Sequence, residues 1–144
     1  MPGASAQIRQ VGEPMYESTT RDIHVRVEPY YVEEESVPKE GYFFWHYTVE
    51  IENRGTETVQ LRSRHWRITD DQGRTQEVRG AGVAGEEPVI SPGSSFSYTS
   101  GAPLPTSSGF MVGSYQMESA SGELFDVDVP LFSLDSPHAR QTVN

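Results

Sequence analysis

From Phe43 to Ile51 the chain alternates without interruption. Phe43, Trp45, Tyr47, Val49 and Ile51 fall on one side of an extended backbone, while His46, Thr48 and Glu50 fall on the other. Successive side chains of a strand point to opposite faces, so this pattern specifies a β-strand with one buried face. Burying five such side chains contributes about 10 kcal/mol as an upper bound. Whatever fold the chain adopts is built around this segment.

The rest of the sequence supplies strands to pack against it. Ile23, Val25 and Val27 alternate with His24 and Arg26, and Pro29 brings that strand near its end. Glu33, Glu34, Glu35, Pro38 and Gly41 mark a solvated loop. Asn53-Arg54-Gly55 is a turn signal, because Asn and Gly tolerate left-handed backbone. Val59 and Leu61 then lie on odd positions, whereas Trp66 and Ile68 lie on even ones. That parity change predicts a bulge or a change of sheet between Arg62 and His65. Asp70–Gly73 closes a hairpin into Arg74–Val78. Beyond the glycine- and proline-rich stretch 80–92 come a short strand around Phe96 and Tyr98, a proline loop over Ala102–Gly109, and a strand over Phe110–Met117. In the last strand Phe125, Val127 and Val129 face in, and Asp126 and Asp128 face out. No window carries a helical repeat. The expectation is an all-β sandwich of about seven to eight antiparallel strands, of immunoglobulin or fibronectin type III shape. Residues 15–134 form the domain, with 1–14 a flexible N-terminal segment and 135–144 a flexible C-terminal tail.

Charge and composition narrow the function classes. Twenty-one acidic residues against 11 basic give a formal charge of −10, which disfavours nucleic acid, since backbone binding needs phosphates neutralised by Lys and Arg. Cysteine is absent, so neither a disulfide framework nor a thiolate nucleophile is expected. After Met1 the first ten residues hold one large apolar side chain, Ile8, so no secretory signal is expected, and no run approaches the ~20 apolar residues of a membrane span. A cytoplasmic location follows as the default.

Three motifs invite functional readings. Gly80-Ala81-Gly82-Val83-Ala84-Gly85 matches G-x-G-x-x-G, yet Glu86-Glu87-Pro88 follows where a dinucleotide fold requires a helix, so that reading is rejected. A helix-free anion nest of backbone N–H groups stays open beside a purely structural loop. Arg62, Arg64, Arg67, Arg74 and Arg79 cluster in one hairpin, either as an ordinary solvated strand face or as ligands for a phosphate-type anion, since Arg binds such groups through paired hydrogen bonds. Gly80, Gly82, Gly85, Arg62, Arg64 and Arg79 are accordingly the candidate anion site. Tyr42 and Phe44, because alternation cannot turn every aromatic of Tyr42–Tyr47 inward, and Trp66, an aromatic near Arg62, Arg64 and Arg67, are the candidate protein interface. His24, His46, His65 and His138 show no metal-ligand spacing, and Asp126 and Asp128 are explained by strand alternation. No metal, cofactor or catalytic residue is expected, and the chain reads as a binding module rather than an enzyme.

The segments Trp45–Asn53 (WHYTVEIEN), Arg64–Gly73 (RHWRITDDQG), Val78–Gly85 (VRGAGVAG), Pro92–Gly101 (PGSSFSYTSG) and Phe125–Phe132 (FDVDVPLF) together resemble the bacterial ApaG family. The similarity runs from about Asp22 to Leu134. It implies a fibronectin type III-like sandwich and an indirect association with cobalt and magnesium homeostasis. Similar domains sit in larger eukaryotic proteins, an F-box protein and a DNA-polymerase-interacting protein among them, which implies an adaptor role. In that family the triplet Gly80, Gly82 and Gly85 is the suspected nucleotide-binding element. The expected partners are an unidentified protein, with self-association left open, and alternatively a small anion such as pyrophosphate or a nucleotide.

Overall fold

In the computed structural model, which describes residues 15–140, the alternating segment is the long strand β3, Phe43–Asn53. It lies inside a sheet of order β1-β2-β3-β7, where β1 is Tyr16–Thr20, β2 is Ile23–Tyr31 and β7 is Ser95–Leu104. The second sheet runs β5-β4-β8-β9, from Thr75–Ala81, Val59–Asp70, Ser108–Ser119 and Leu124–Asp135 respectively, and the two-residue β6, Val89–Ile90, pairs with β4. All pairings are antiparallel. The chain is a β-sandwich of two antiparallel sheets, with nine strands among the described residues rather than the expected seven to eight.

Every second residue of β3 is buried, and Trp45, Val49 and Ile51 are essentially inaccessible. They meet Leu61, Met117, Val127 and Phe132 of the second sheet in one continuous core. Trp45 Nε1 donates to the Asp135 carbonyl at 3.0 Å, tying the first sheet to the end of β9. Asn53 ends β3 buried and fully engaged. Its Nδ2 donates to the carbonyls of Glu57 (2.8 Å) and Ile90 (2.9 Å), and its Oδ1 accepts from Gly55 N–H. The expected turn at Asn53–Gly55 is thus a hydrogen-bonded corner where the chain crosses between sheets.

The parity change in β4 is a bulge. Its register against β8 slips between Leu61 and Ser63, so Val59 and Leu61 face the core before it and Arg64, Trp66 and Ile68 face inward after it. The expected proline loop is shorter than Ala102–Gly109, since β7 continues to Leu104 and β8 begins at Ser108. Pro103 fits because β7 is an edge strand, where a missing N–H costs no ladder bond. The first hairpin, β1–β2, turns through Arg21 and Asp22, both with positive φ. Arg21 is held there by two hydrogen bonds to Glu123 and by its position 4.2 Å over the Phe125 ring.

The sandwich is closed on one side and open on the other. At β1 and β9, Ser18 Oγ donates to the Asp128 carbonyl, and Asp128 N–H donates to Thr20 Oγ1. On the opposite side the free edges of β5 and β7 flank a cleft. The expected N-terminal segment 1–14 lies outside the described residues. The expected C-terminal tail departs from its boundary at 134: β9 reaches Asp135, Ser136 is buried and donates to the Ser107 carbonyl, and a short helix α1, Pro137–Arg140, follows. His138 on α1 packs edge-on against Tyr31 and Phe43, contacts that no alternation pattern in a polar segment announces.

Candidate functional site

Two surfaces meet at the open side of the sandwich, one outside the first sheet and one between the sheets. The outer one follows from alternation. With Phe43, Trp45 and Tyr47 buried, Phe44 and His46 face outward, and Tyr30 of β2 lies opposite His46. The His46 ring is flanked edge-on by Tyr30 at 5.5 Å and Phe44 at 5.4 Å, and Tyr42 stacks on Phe44 at 6.3 Å. Tyr30 and Tyr42 are about two-fifths exposed (40% and 42%). Phe44 is half-buried because its ring lies across Gly101 of β7, where a β-carbon would overlap it. An aromatic ring laid over a bare glycine on a neighbouring strand covers backbone and fixes the ring. Phe44 therefore packs on β7 and not under the loop 80–92.

Trp66, placed with Tyr42 and Phe44 as an interface residue, is not on this surface. It is 3% exposed and packs edge-on against Tyr47, Tyr115 and Phe132 in the core. Its ring lies over Gly113 of β8, where a β-carbon would overlap it. The even parity after the bulge turns Trp66 inward together with Arg64.

The candidate anion residues divide between faces. Arg79 pairs with His65 in the β4–β5 ladder and points outward with it, exposed. Arg62, at the bulge, donates to Glu118 and Glu87, both at 2.9 Å. Of the three arginines Arg64 alone faces the space between the sheets, where Gly85 also lies. It lies opposite Gly80, and a β-carbon on Gly80 would stand 2.9 Å from Arg64 Nη2. Arg64 Nη1 donates to the carbonyls of Ala81 (3.0 Å) and Gly82 (2.8 Å). Gly82 and Gly85 have positive φ and let the chain fold back tightly after β5. The Gly82 N–H is engaged by the Arg62 carbonyl, and Val83 and Glu86 exchange both backbone bonds. The loop thus offers Arg64 two of its carbonyls, and the N–H groups of Gly82, Val83 and Glu86 are already engaged.

The cleft between the sheets has a volume of about 430 Å³. Arg64, Gln76 and Ser100 give it polar groups, and Trp66, Val83 and Met111 give it apolar walls. Tyr47 and Tyr98 also line it, and Tyr98 is hydrogen-bonded to the buried Tyr115. Burial pushes the Tyr47 hydroxyl above its ordinary value, with Ser100 and Arg64 pulling it back. Burial likewise raises Tyr98 and Tyr115, which hydrogen-bond to each other. These phenols stay protonated and serve as neutral donors and acceptors.

Elsewhere the titratable groups are structural. His24 is buried on the outer face between Thr19 (2.7 Å) and Glu17 (2.8 Å). Asp126 and Asp128 are exposed on the outer face of β9. Among the described residues no cluster of His, Asp or Glu gathers in a way that would hold a metal ion, and no helix is long and apolar enough to cross a membrane.

Comparison with known proteins places the chain among related sequences. Residues 33–119 match the family model described as the ApaG domain. Protein ApaG of Rhodospirillum centenum is 62% identical over 130 residues, which is 90% of this chain and the whole of that protein. Protein ApaG of a Bradyrhizobium species is 63% identical over the same share. Among solved structures, the putative ApaA protein of Bordetella pertussis superimposes with a TM-score of 0.79 at 46% identity, covering 81% of this chain and 94% of that one.

Proposed function

The chain belongs to the ApaG-domain family, and on that premise we propose that it is a non-catalytic binding module that captures a protein partner in the cytosol. One observation carries the reading: the aromatic cluster of Tyr30, Tyr42, Phe44 and His46 on the outer face of the first sheet. Solvent-exposed tyrosines are amphipathic and lose little side-chain entropy on contact, and truncating such an anchor commonly costs above ~2 kcal/mol of binding. Their neighbour Val37, bridged to Tyr42, is also exposed, which widens the apolar surface. The absence of catalysis is supported by chemistry already spent. Arg62, Arg74 and Arg21 are ion-paired, and the buried phenols are held neutral. An effect on cobalt and magnesium homeostasis, which the family resemblance implies, is then indirect and passes through the captured partner.

The test is affinity capture from native cytosol with the full chain, comparing wild type, a Tyr42→Ala/Phe44→Ala double variant and Leu124→Ala. Leu124 is a control, exposed at the far end of β9. The proposal expects one stoichiometric partner retained by wild type and Leu124→Ala and lost from the double variant. Equal capture by all three would overturn it. Sedimentation velocity on the purified chain identifies a second copy as the partner if self-association is lost in the same double variant.

A further inference from the structure

The cleft between the sheets points to a second site, independent of the aromatic face. Arg21, Arg26, Arg54, Arg62 and Arg74 are each paired with a carboxylate. Arg64, Arg67 and Arg79 have no such partner among the described residues, and of these three Arg64 is the one that lines the cleft. Two neutral carbonyls hold its Nη1, and Gly80 leaves room for the guanidinium to lie flat against β5. Its Nε and Nη2 donors have no hydrogen-bond partner among the described residues. A half-buried guanidinium fixed along one edge and free along the other presents a fork that matches an oxyanion. Its charge acts on the hydroxyls of Tyr47 and Tyr98, which line the cleft, and on that of Tyr115, hydrogen-bonded to Tyr98.

The surroundings specify more than a charge. Trp66, Val83 and Met111 are buried, and Val78 and Ile68 are half-buried, so the space beside Arg64 is walled by apolar groups. A volume of about 430 Å³ lies within the range of small-molecule sites. An inorganic anion would leave most of it unfilled, and a bare apolar molecule would leave the guanidinium unmatched.

We propose that the inter-sheet cleft binds a small organic oxyanion, its carboxylate or phosphate on the free edge of Arg64 and its apolar body against Trp66, Val78 and Met111. The glycine loop contributes the two carbonyls that hold Arg64 and the bare backbone of Gly80.

The test is an NMR titration of the ¹⁵N-labelled full chain with four probes: benzoate, phenyl phosphate, inorganic phosphate and benzyl alcohol. The expected result is that benzoate or phenyl phosphate shifts the Arg64 Nε–H signal together with the amides of Gly85, Ser100 and Ala102. Its affinity should exceed that of benzyl alcohol by at least roughly tenfold. The tighter of the two charged aromatics identifies the head group as carboxylate or phosphate. Arg64→Gln should abolish the preference for the charged probe while leaving weak binding of benzyl alcohol. Since that variant also gives up two bonds to the loop, the comparison of charged and neutral probes on wild type stands by itself. Equal affinity for benzyl alcohol and benzoate would overturn the role of Arg64. Inorganic phosphate binding as tightly as phenyl phosphate would overturn the apolar body. Shifts centred on Arg67 and Arg79, on the outer face, would overturn the site.

Discussion

Tyr98 and Tyr115 join their hydroxyls inside the core, one from each sheet, so a hydrogen bond spans the sandwich beside the cleft that Tyr98 lines. Both rings are buried. Tyr98→Phe would strand the Tyr115 hydroxyl without a partner, at a cost of about 1–3 kcal/mol, whereas removing both hydroxyls leaves an apolar contact of the same shape. The double variant should therefore lose less stability than the two single variants summed, as measured by urea unfolding. Strict additivity would show that the bond carries no coupling.

The same pair sets a limit at high pH. Burial holds both phenols above their ordinary value, so the folded state keeps protons that the unfolded chain releases near pH 10. Their contribution to stability is present in full below that value and declines as pH rises through it. Tyr98→Phe/Tyr115→Phe should flatten the alkaline limb of the stability curve.

Trp66 and Phe44 separate core from surface. Trp66→Ala empties a fully packed position, and such truncations cost about 3–5 kcal/mol. Against a domain stability of roughly 5–15 kcal/mol, that shifts the unfolding midpoint substantially. Phe44→Ala gives up only a half-buried ring over Gly101 and should cost about 1 kcal/mol. Equal losses in the two variants would contradict the placement of both residues.

How far the sequence was legible depends on how local each signal is. The strand Phe43–Asn53 was plain because every second residue is large and apolar, and the bulge at Arg62 because parity inverts around it. β1 escaped notice because Tyr16, Ser18 and Thr20 alternate with little apolar contrast. Its strand character comes from pairing with β2 and from the turn at Arg21 and Asp22. In the sequence Trp66 reads as an interface residue because arginines surround it. The bulge turns Arg64 and Trp66 to the same inner face, beside a cleft that exists only once two sheets are stacked. The relation of Gly80 to Arg64 depends on the β4–β5 register, which a motif of spaced glycines does not encode. Gly101 beneath Phe44 is likewise a cross-strand fact, since the two lie far apart in the chain.

The hairpin between β4 and β5 should be the acid-sensitive element of the fold. The Asp70 carboxylate is almost fully covered, and burial by itself would raise its pKa. Hydrogen bonds outweigh that effect: Oδ1 accepts from the N–H of Gln72 (2.8 Å) and Arg74 (3.0 Å), and Oδ2 accepts from Arg74 Nε (2.8 Å). The net result is a carboxyl held below its ordinary value. A group depressed in the folded state stabilises the fold above its unfolded pKa, near 4 for Asp, and loses that contribution as pH falls through the folded value. Asp70→Asn keeps an oxygen for the two backbone bonds and removes the charge. The variant should be less stable than wild type at pH 7, and the gap between their urea midpoints should close as pH is lowered from 5 to about 2. A gap that stays constant over that range would show that the charge on Asp70 does not stabilise the turn, leaving the neutral hydrogen bonds to hold it.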